Sequence, residues 1–157
     1  MKKLLVLVLT LVFILALSGC NNEDQEQVLT YSFSGGHEYF SLSNGSIILS
    51  DKEEVFDGGV LEITQSGFFE EISSYSTTFY TLINGKRRII LSDSVFNKSG
   101  AAVSVDGALG SISGKGVIIG KKASNIDELK EALWFELKTV NLNGEENTYQ
   151  TQLTFTE

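Results

Sequence analysis

The chain has 157 residues and a formal net charge of −8, from 12 basic and 20 acidic side chains. This acidic balance disfavours nucleic acid and anionic lipid head groups as partners. Cys20 is the only cysteine, which excludes a disulfide within the chain. Proline is absent, so the turns must come from Gly, Asn, Asp and Ser.

The N-terminus has the features of an export signal. It begins with Lys2 and Lys3, and residues 4–17 are apolar except for Thr10. A permanent membrane-spanning helix needs about 20 apolar residues, so this run is short for one. A positive start followed by a short apolar segment predicts a secretory signal peptide.

The apolar segment ends in Leu17-Ser18-Gly19-Cys20. This tetrapeptide resembles the lipobox of bacterial lipoproteins. The resemblance implies a lipid on the Cys20 thiol and cleavage between Gly19 and Cys20, so that residues 1–19 are removed. It covers only the first 20 residues and implies nothing about the rest. The alternative is an ordinary signal peptide followed by a chance cysteine.

A lipidated Cys20 would hold the protein at the membrane. Each buried acyl CH₂ contributes about 0.8 kcal/mol, and the two or three chains that the resemblance implies make the attachment durable. We expect the extracytoplasmic face of the cell membrane, or the outer membrane in an organism with two. Cys20 and residues 21–27 would form a lipidated, polar tether that reaches at most about 25 Å. Loss of Lys2 and Lys3 would lower the net charge from −8 to −10.

Residues 28–157 are predicted to form a single all-β domain. Asn-Gly between alternating apolar residues is a strong hairpin signal, and it occurs at Asn44-Gly45, Asn84-Gly85 and Asn143-Gly144. A two-residue loop at Asn44-Gly45 gives a hairpin with one apolar face. The core positions on that face are Phe40, Leu42, Ile47 and Leu49.

The second hairpin repeats the first at a distance of 40 residues, since "IILSD" follows both turns. Duplication and convergence between hairpins of similar burial both explain this similarity. By analogy, the core face of the second hairpin should carry Tyr80, Leu82, Ile89 and Leu91. The opposite face should carry Phe79, Ile83, Lys86, Arg88 and Ile90, with Arg87 also at the tip.

The third hairpin, at Asn143-Gly144, favours a three-residue loop with Gly144 in the left-handed region. A two-residue loop would place apolar side chains opposite Gln and Thr, and burying each large apolar side chain is worth about 1.5–3 kcal/mol. The three-residue loop puts Trp134 on the opposite face. The shared apolar face then carries Leu133, Phe135, Leu137, Tyr149, Leu153 and Phe155.

Shorter elements complete the predicted domain. The strand candidates are residues 28–34, 59–64, 102–106 and 116–119. Residues 100–120 are rich in glycine and predict bends or bulges. Ser124 and Asn125 offer an N-cap for a helix of about two turns that ends at Leu133.

Many short strands with Gly-rich turns predict an antiparallel β-sandwich, with an immunoglobulin-like arrangement as one form of it. A small β-barrel is the alternative. The immunoglobulin Cys and Trp signature is absent, so the topology within the class stays open.

No set of residues predicts catalysis, a metal or a cofactor. His37 is the only histidine, which is too little for a triad or a zinc site. The acidic residues in segment 51–57 do not have the spacing of an EF-hand calcium site, because Val55 fills a ligand position and Phe56 stands where glycine is required. The segment Gly114-Lys115 lacks the remainder of a phosphate-binding loop.

Two surfaces are candidate partner-binding sites. The first is the predicted outward face and tip of the second hairpin, and the second is Trp134. The alternatives are a strand covered by another layer and a Trp134 packed on Ile126 or Leu129. The residues of the first surface are Phe79, Ile83, Lys86, Arg87, Arg88 and Ile90.

We therefore expect a lipid-anchored, non-catalytic binding or interaction module. The sequence does not identify its partner, which is either a protein or a small molecule. The alternative is a small protective inhibitor of an external enzyme, acting through the hairpin tip. A small hydrolase is the third hypothesis.

Overall fold

The computed structural model describes residues 28–65, 67–116 and 126–156. The predicted signal peptide, lipobox and tether (residues 1–27) lie outside the described residues. The same holds for Ser124 and Asn125, the predicted start of the helix, and for residues 117–119 of the last strand candidate.

In the described part of the chain, the first sheet has seven antiparallel strands. They are β1 (Leu29–His37), β2 (Phe40–Leu49), β3 (Glu54–Asp57), β4 (Val60–Ile63), β7 (Gly107–Ala108), β8 (Ser111–Gly114) and β11 (Thr154–Thr156). The long strand β2 organises this sheet. It pairs with β1 along one side and with β3 and β4 along the other.

The second described sheet has four antiparallel strands in the order β10-β9-β5-β6. They are β5 (Ile72–Ile83), β6 (Lys86–Phe96), β9 (Leu133–Asn141) and β10 (Glu146–Gln152). The described helix, α1 (Ile126–Ala132), leads directly into β9 and buries Ile126, Leu129 and Ala132.

Aromatic side chains join the two sheets face to face. Phe79 of the second sheet lies 5.0 Å from Phe56 and 6.1 Å from Phe33 of the first, measured between ring centroids. Phe40 and Phe135 meet in the same way at 5.7 Å. The predicted all-β sandwich is confirmed, and the two sheets do not close into a barrel.

The expected hairpin at Asn44-Gly45 is wrong. Strand β2 runs through both residues, and the turn that joins β1 to β2 lies at residues 38–39, with His37 opposite Phe40. Asn44 has a φ of 58° at the point where the partner of β2 changes from β4 to β3. The Asn-Gly pair therefore corresponds to a backbone irregularity within β2 and not to a turn between two strands.

The predicted core face of this segment is nevertheless correct. The four expected side chains, Phe40, Leu42, Ile47 and Leu49, are all buried. Gly45 itself lies under the ring of Phe33, where an added Cβ would overlap the ring atoms.

The hairpin at Asn84-Gly85 is confirmed, but its predicted faces are wrong. Asn84 and Gly85 both have positive φ, at 51° and 71°, as a tight two-residue turn requires. A bulge then shifts the register between the Phe79–Leu91 pair and the Tyr80–Ile89 pair, leaving Ile90 as the extra residue.

This register puts Phe79 and Ile90 in the core and leaves Leu82 and Ile89 exposed. Tyr80 is buried and Leu91 is partly buried against the core. The 40-residue sequence similarity therefore joins two different structures, a strand that continues and a hairpin that turns.

The third hairpin follows its prediction. Asn141 pairs with Glu145 by a 3.0 Å backbone hydrogen bond, which leaves residues 142–144 as a three-residue loop. Gly144 has a φ of 84°. Leu133, Phe135 and Leu137 are fully buried, as is Leu153, where the chain passes from β10 to β11.

Residues 102–106 do not form the expected strand. The segment is irregular but attached, because the Val103 amide donates to the Ile72 carbonyl at 2.7 Å and Val105 is buried. Asp106 accepts a hydrogen bond from the Ile63 amide at 2.6 Å through its side chain. The apolar residues that suggested a strand are therefore used for burial, and the segment does not pair with a neighbouring strand over residues 102–106.

Candidate functional site on the outer face of the second sheet

The outer face of the second sheet carries an aromatic and aliphatic row across three strands. Tyr80 on β5 pairs in register with Ile89 on β6 and with Trp134 on β9. Directly opposed residues point to the same side of a sheet, and the adjacent Phe79 and Phe135 point into the core. The row therefore faces away from the first sheet.

An ion pair lies beside this row. The Arg87 guanidinium donates from Nη1 to Oε2 of Glu136 at 2.9 Å and from Nη2 to Oε1 at 2.8 Å. Its Cζ lies 3.8 Å from the centroid of the Tyr80 ring, in cation–π contact. Gln150 donates to Oε2 of Glu136 at 2.6 Å, and the Lys138 ammonium lies 3.9 Å from Oε1.

Burial makes this pair a structured feature of the surface. Glu136 is only 4% exposed although it lies on the outer face. The hydrogen bonds from Arg87 lower the pKa of Glu136 more than burial raises it, and Gln150 lowers it further. The same hydrogen bonds raise the pKa of Arg87, while burial raises the pKa of the Tyr80 hydroxyl. Both members of the pair are therefore charged at neutral pH.

Apolar side chains beside the pair are open to solvent. Ile89 is 58% exposed and Leu82, which pairs with Arg87, is 45% exposed. Trp134 is half-buried and lies outside the set of side chains packed on the described core, which includes Ile126 and Leu129. We name this surface the outer-face patch, composed of Tyr80, Leu82, Arg87, Ile89, Trp134 and Glu136.

The structure divides the predicted binding residues. Arg87 and Trp134 lie on the outer-face patch, whereas Lys86 and Arg88 alternate to the other side of β6 and are exposed at the tip. Ile83 is half-buried beside them. The expected outward placement of Phe79 and Ile90 is wrong. Phe79 lies on the inner face of β5 opposite the buried Phe135, and the bulge in β6 turns Ile90 into the core.

Four residues of the outer-face patch were not predicted as site residues: Tyr80, Leu82, Ile89 and Glu136. The "RRII" run permits two phases of alternation, and only contact with the first sheet decides between them. The doublet of Arg87 and Arg88 was the available signal, since one of two adjacent strand residues must point to each face.

The residues considered as metal ligands in the sequence make other contacts in the structure. His37 packs its ring against Tyr39, Phe40 and Tyr149, at centroid distances of 5.1 to 5.5 Å. Asp57 accepts a hydrogen bond from the Gly59 amide at 2.8 Å. Among residues 28–65, 67–116 and 126–156, no three His, Cys, Asp or Glu side chains are grouped to hold a metal ion.

Within the same three ranges, no helix combines the length and apolar character needed to cross a membrane. The chain matches no protein-family model, and searches of curated proteins and of solved structures found no significant match.

Proposed function

We propose that the protein is a lipid-anchored extracytoplasmic lipoprotein whose β-sandwich binds a protein partner and catalyses no reaction. The resemblance of Leu17-Ser18-Gly19-Cys20 to a lipobox supports the anchor. The polar residues 21–27 would keep the domain within reach of proteins at the same membrane.

The exposure of Leu82 and Ile89 carries the binding proposal. Two large aliphatic side chains open to solvent, next to an Arg and a Trp, have the composition of an interface centre. The Arg87–Glu136 pair holds the guanidinium in place, so little conformational entropy would be lost there on binding.

Charge indicates the kind of partner. Lys86 and Arg88 are exposed at the hairpin tip next to this surface, in a chain that is acidic as a whole. A partner with an apolar centre and an acidic rim would fit the outer-face patch, and the cationic tip would steer its approach.

The test uses the full-length, lipidated protein in its own membrane, with a photocrosslinker at residue 82 or 89. The matched control places the crosslinker at Ser94, which is exposed on the same strand. We expect one recurrent protein at 82 and 89, absent at 94 and lost when Lys86 and Arg88 are both changed to Glu. Equal capture at all three positions, or no capture, would overturn the proposal. Turnover of glycan, peptide or ester substrates by the purified protein would overturn its non-catalytic part.

A second candidate function is inhibition of an external enzyme by the hairpin tip. The observation that favours it is the exposed, tightly turned segment Asn84-Gly85-Lys86 at the end of two long strands. Such a tip could enter an active-site cleft. Inhibition that fails with Lys86→Glu but survives Ile89→Ser would favour this candidate over binding through the outer-face patch.

A further inference from the structure

A cleft separate from the outer-face patch opens where the turn between β1 and β2, strand β9 and strand β10 meet the loop before β5. It has a volume of about 600 Å³, and Tyr39, Phe68, Thr139 and Tyr149 contribute to its lining. Volumes of roughly 300–1,000 Å³ are typical of small-molecule sites. Thr139 lies opposite Tyr75 in the β5–β9 register and is two residues from the buried Leu137, on the inner side of the sheet.

Three aromatic rings form one wall of this cleft. Tyr39 and Phe68 stack with centroids 3.7 Å apart, and Tyr149 meets Tyr39 at 5.5 Å with the ring planes at 79°. Phe68 remains 43% exposed despite the stack. The wall therefore presents an aromatic surface to solvent, and the negative π faces of such rings attract cations.

The charge of the lining has one sign. Glu70 and Glu71 both line the cleft and are exposed, and none of its lining residues in the described chain is Lys or Arg. Carboxylates next to aromatic rings favour a positively charged ligand over an anionic or neutral one.

Thr139 adds an independent observation. The residue is 1% exposed, and its hydroxyl oxygen is buried with no hydrogen-bond partner among the described residues. Nearly all buried polar groups have a partner, so an unpaired hydroxyl on a residue that lines a cleft points to a ligand group.

We propose that this cleft binds a small organic cation, an alkylammonium that also carries a hydroxyl. The ammonium lies against Phe68 and Tyr149 with Glu70 and Glu71 as counter-charges. The ligand hydroxyl pairs with Thr139. The site is independent of the protein partner proposed for the outer-face patch.

Choline is the probe, titrated calorimetrically into the full-length protein in a maltoside detergent, with detergent alone as the blank. The matched neutral ligand is 3,3-dimethylbutan-1-ol, which has the same shape without the charge. We expect choline to bind at least about tenfold more tightly than the neutral alcohol. Equal affinity for the two, or no binding of choline at millimolar concentration, would overturn the proposal.

Variants assign the contacts. Phe68→Leu, at an exposed position, and the double change Glu70→Gln with Glu71→Gln should each weaken choline about fivefold to tenfold. Glu128→Gln, on the exposed side of α1, is the control and should leave affinity unchanged. Thr139→Val should abolish the preference for choline over tetramethylammonium, which lacks the hydroxyl. Unchanged affinity in both Phe68→Leu and the double variant would place choline elsewhere and overturn the assignment.

A phosphatidylcholine head group carries the same ammonium as free choline but has its oxygen esterified. Maltoside micelles doped with this lipid separate the two sources. Competition of the lipid with choline would overturn the hydroxyl contact with Thr139, whereas binding of choline alone would support it.

Discussion

Arg87 and Glu136 are joined by two hydrogen bonds of 2.8 and 2.9 Å although their strands, β6 and β9, are not neighbours. Strand β5 lies between them, and the guanidinium crosses it on the ring of Tyr80 at 3.8 Å. A guanidinium fork meets a carboxylate at two points, which specifies orientation as well as distance. The pair therefore ties the edge strand β6 to the centre of the second sheet.

Arg87→Met should lower the free energy of unfolding by about 2 kcal/mol, because Glu136 would stay buried without its main counter-charge. Urea denaturation measures the change. Adding Glu136→Leu should recover most of the loss, since no unpaired charge then remains buried. Lys86→Met is the control at the neighbouring tip position and should change stability by less than about 0.5 kcal/mol. An Arg87→Met protein as stable as the wild type would show that the pair contributes nothing to stability.

The stability of the wild type should fall in acid partly through Glu136. The pKa of this carboxyl is lowered by Arg87 from an ordinary value of 4.5, so the unfolded chain takes up the proton first. The stabilising contribution of Glu136 is present above pH 4.5, and it is lost as the pH falls from 4.5 through the pKa of Glu136 in the folded protein. Urea midpoints measured across this range should fall more steeply for the wild type than for Glu136→Gln. Parallel curves would contradict the assignment.

Gly45→Ala should destabilise the protein by about 1–3 kcal/mol, because the added methyl would overlap the buried ring of Phe33. Gly85→Ala separates this effect from backbone strain. At Gly85 a Cβ meets nothing within 4 Å, but φ is 71°, so the cost should be only about 1 kcal/mol. Thermal or urea unfolding of both variants gives the order. A larger loss at Gly85 would mean that strain outweighs packing.

Thr139→Val should raise the free energy of unfolding of the ligand-free protein by about 1 kcal/mol. The change keeps the branched shape and removes a buried hydroxyl without a partner. Thr78→Val is the contrasting variant, because the Thr78 hydroxyl lies 3.0 Å from Ser92 Oγ in a hydrogen bond. It should lose stability by a similar amount. Loss of stability at both positions would indicate that the Thr139 hydroxyl is paired in solution.

Cys20→Ser should abolish metabolic labelling by an alkyne analogue of palmitate and the mass shift of the mature N-terminus. The thiol is the predicted acyl acceptor, because the resemblance to a lipobox implies a lipid on the Cys20 thiol, and serine has no thiol. Ser18→Ala is the control and should be labelled normally, because it keeps a small residue at that position. Membrane fractionation alone would not distinguish the outcomes, since an uncleaved apolar segment also binds membranes. Continued labelling of Cys20→Ser would refute lipidation at this residue.

The Asn44-Gly45 segment shows how far a sequence pattern reaches. A two-residue turn and a one-residue irregularity in a continuous strand shift side-chain alternation by the same phase. Phe40 and Leu42 before the irregularity, and Ile47 and Leu49 after it, were therefore predicted correctly as core. Whether the chain turns back at this point depends on which strands pair with it. Strand β2 pairs with β1 along its whole length, and a local sequence pattern contains no information about that pairing.

The sequence by itself determined the all-β class, the tight turn at Asn84-Gly85 and the three-residue loop closed by Gly144, because side-chain alternation and positive-φ residues are local properties. Tertiary structure alone decided that β2 continues, that Ile90 turns inward at a bulge and that Arg87 meets Glu136 across β5. Those outcomes depend on which phase of an alternating strand the opposite sheet can bury. Contacts between residues distant in the chain decide that phase.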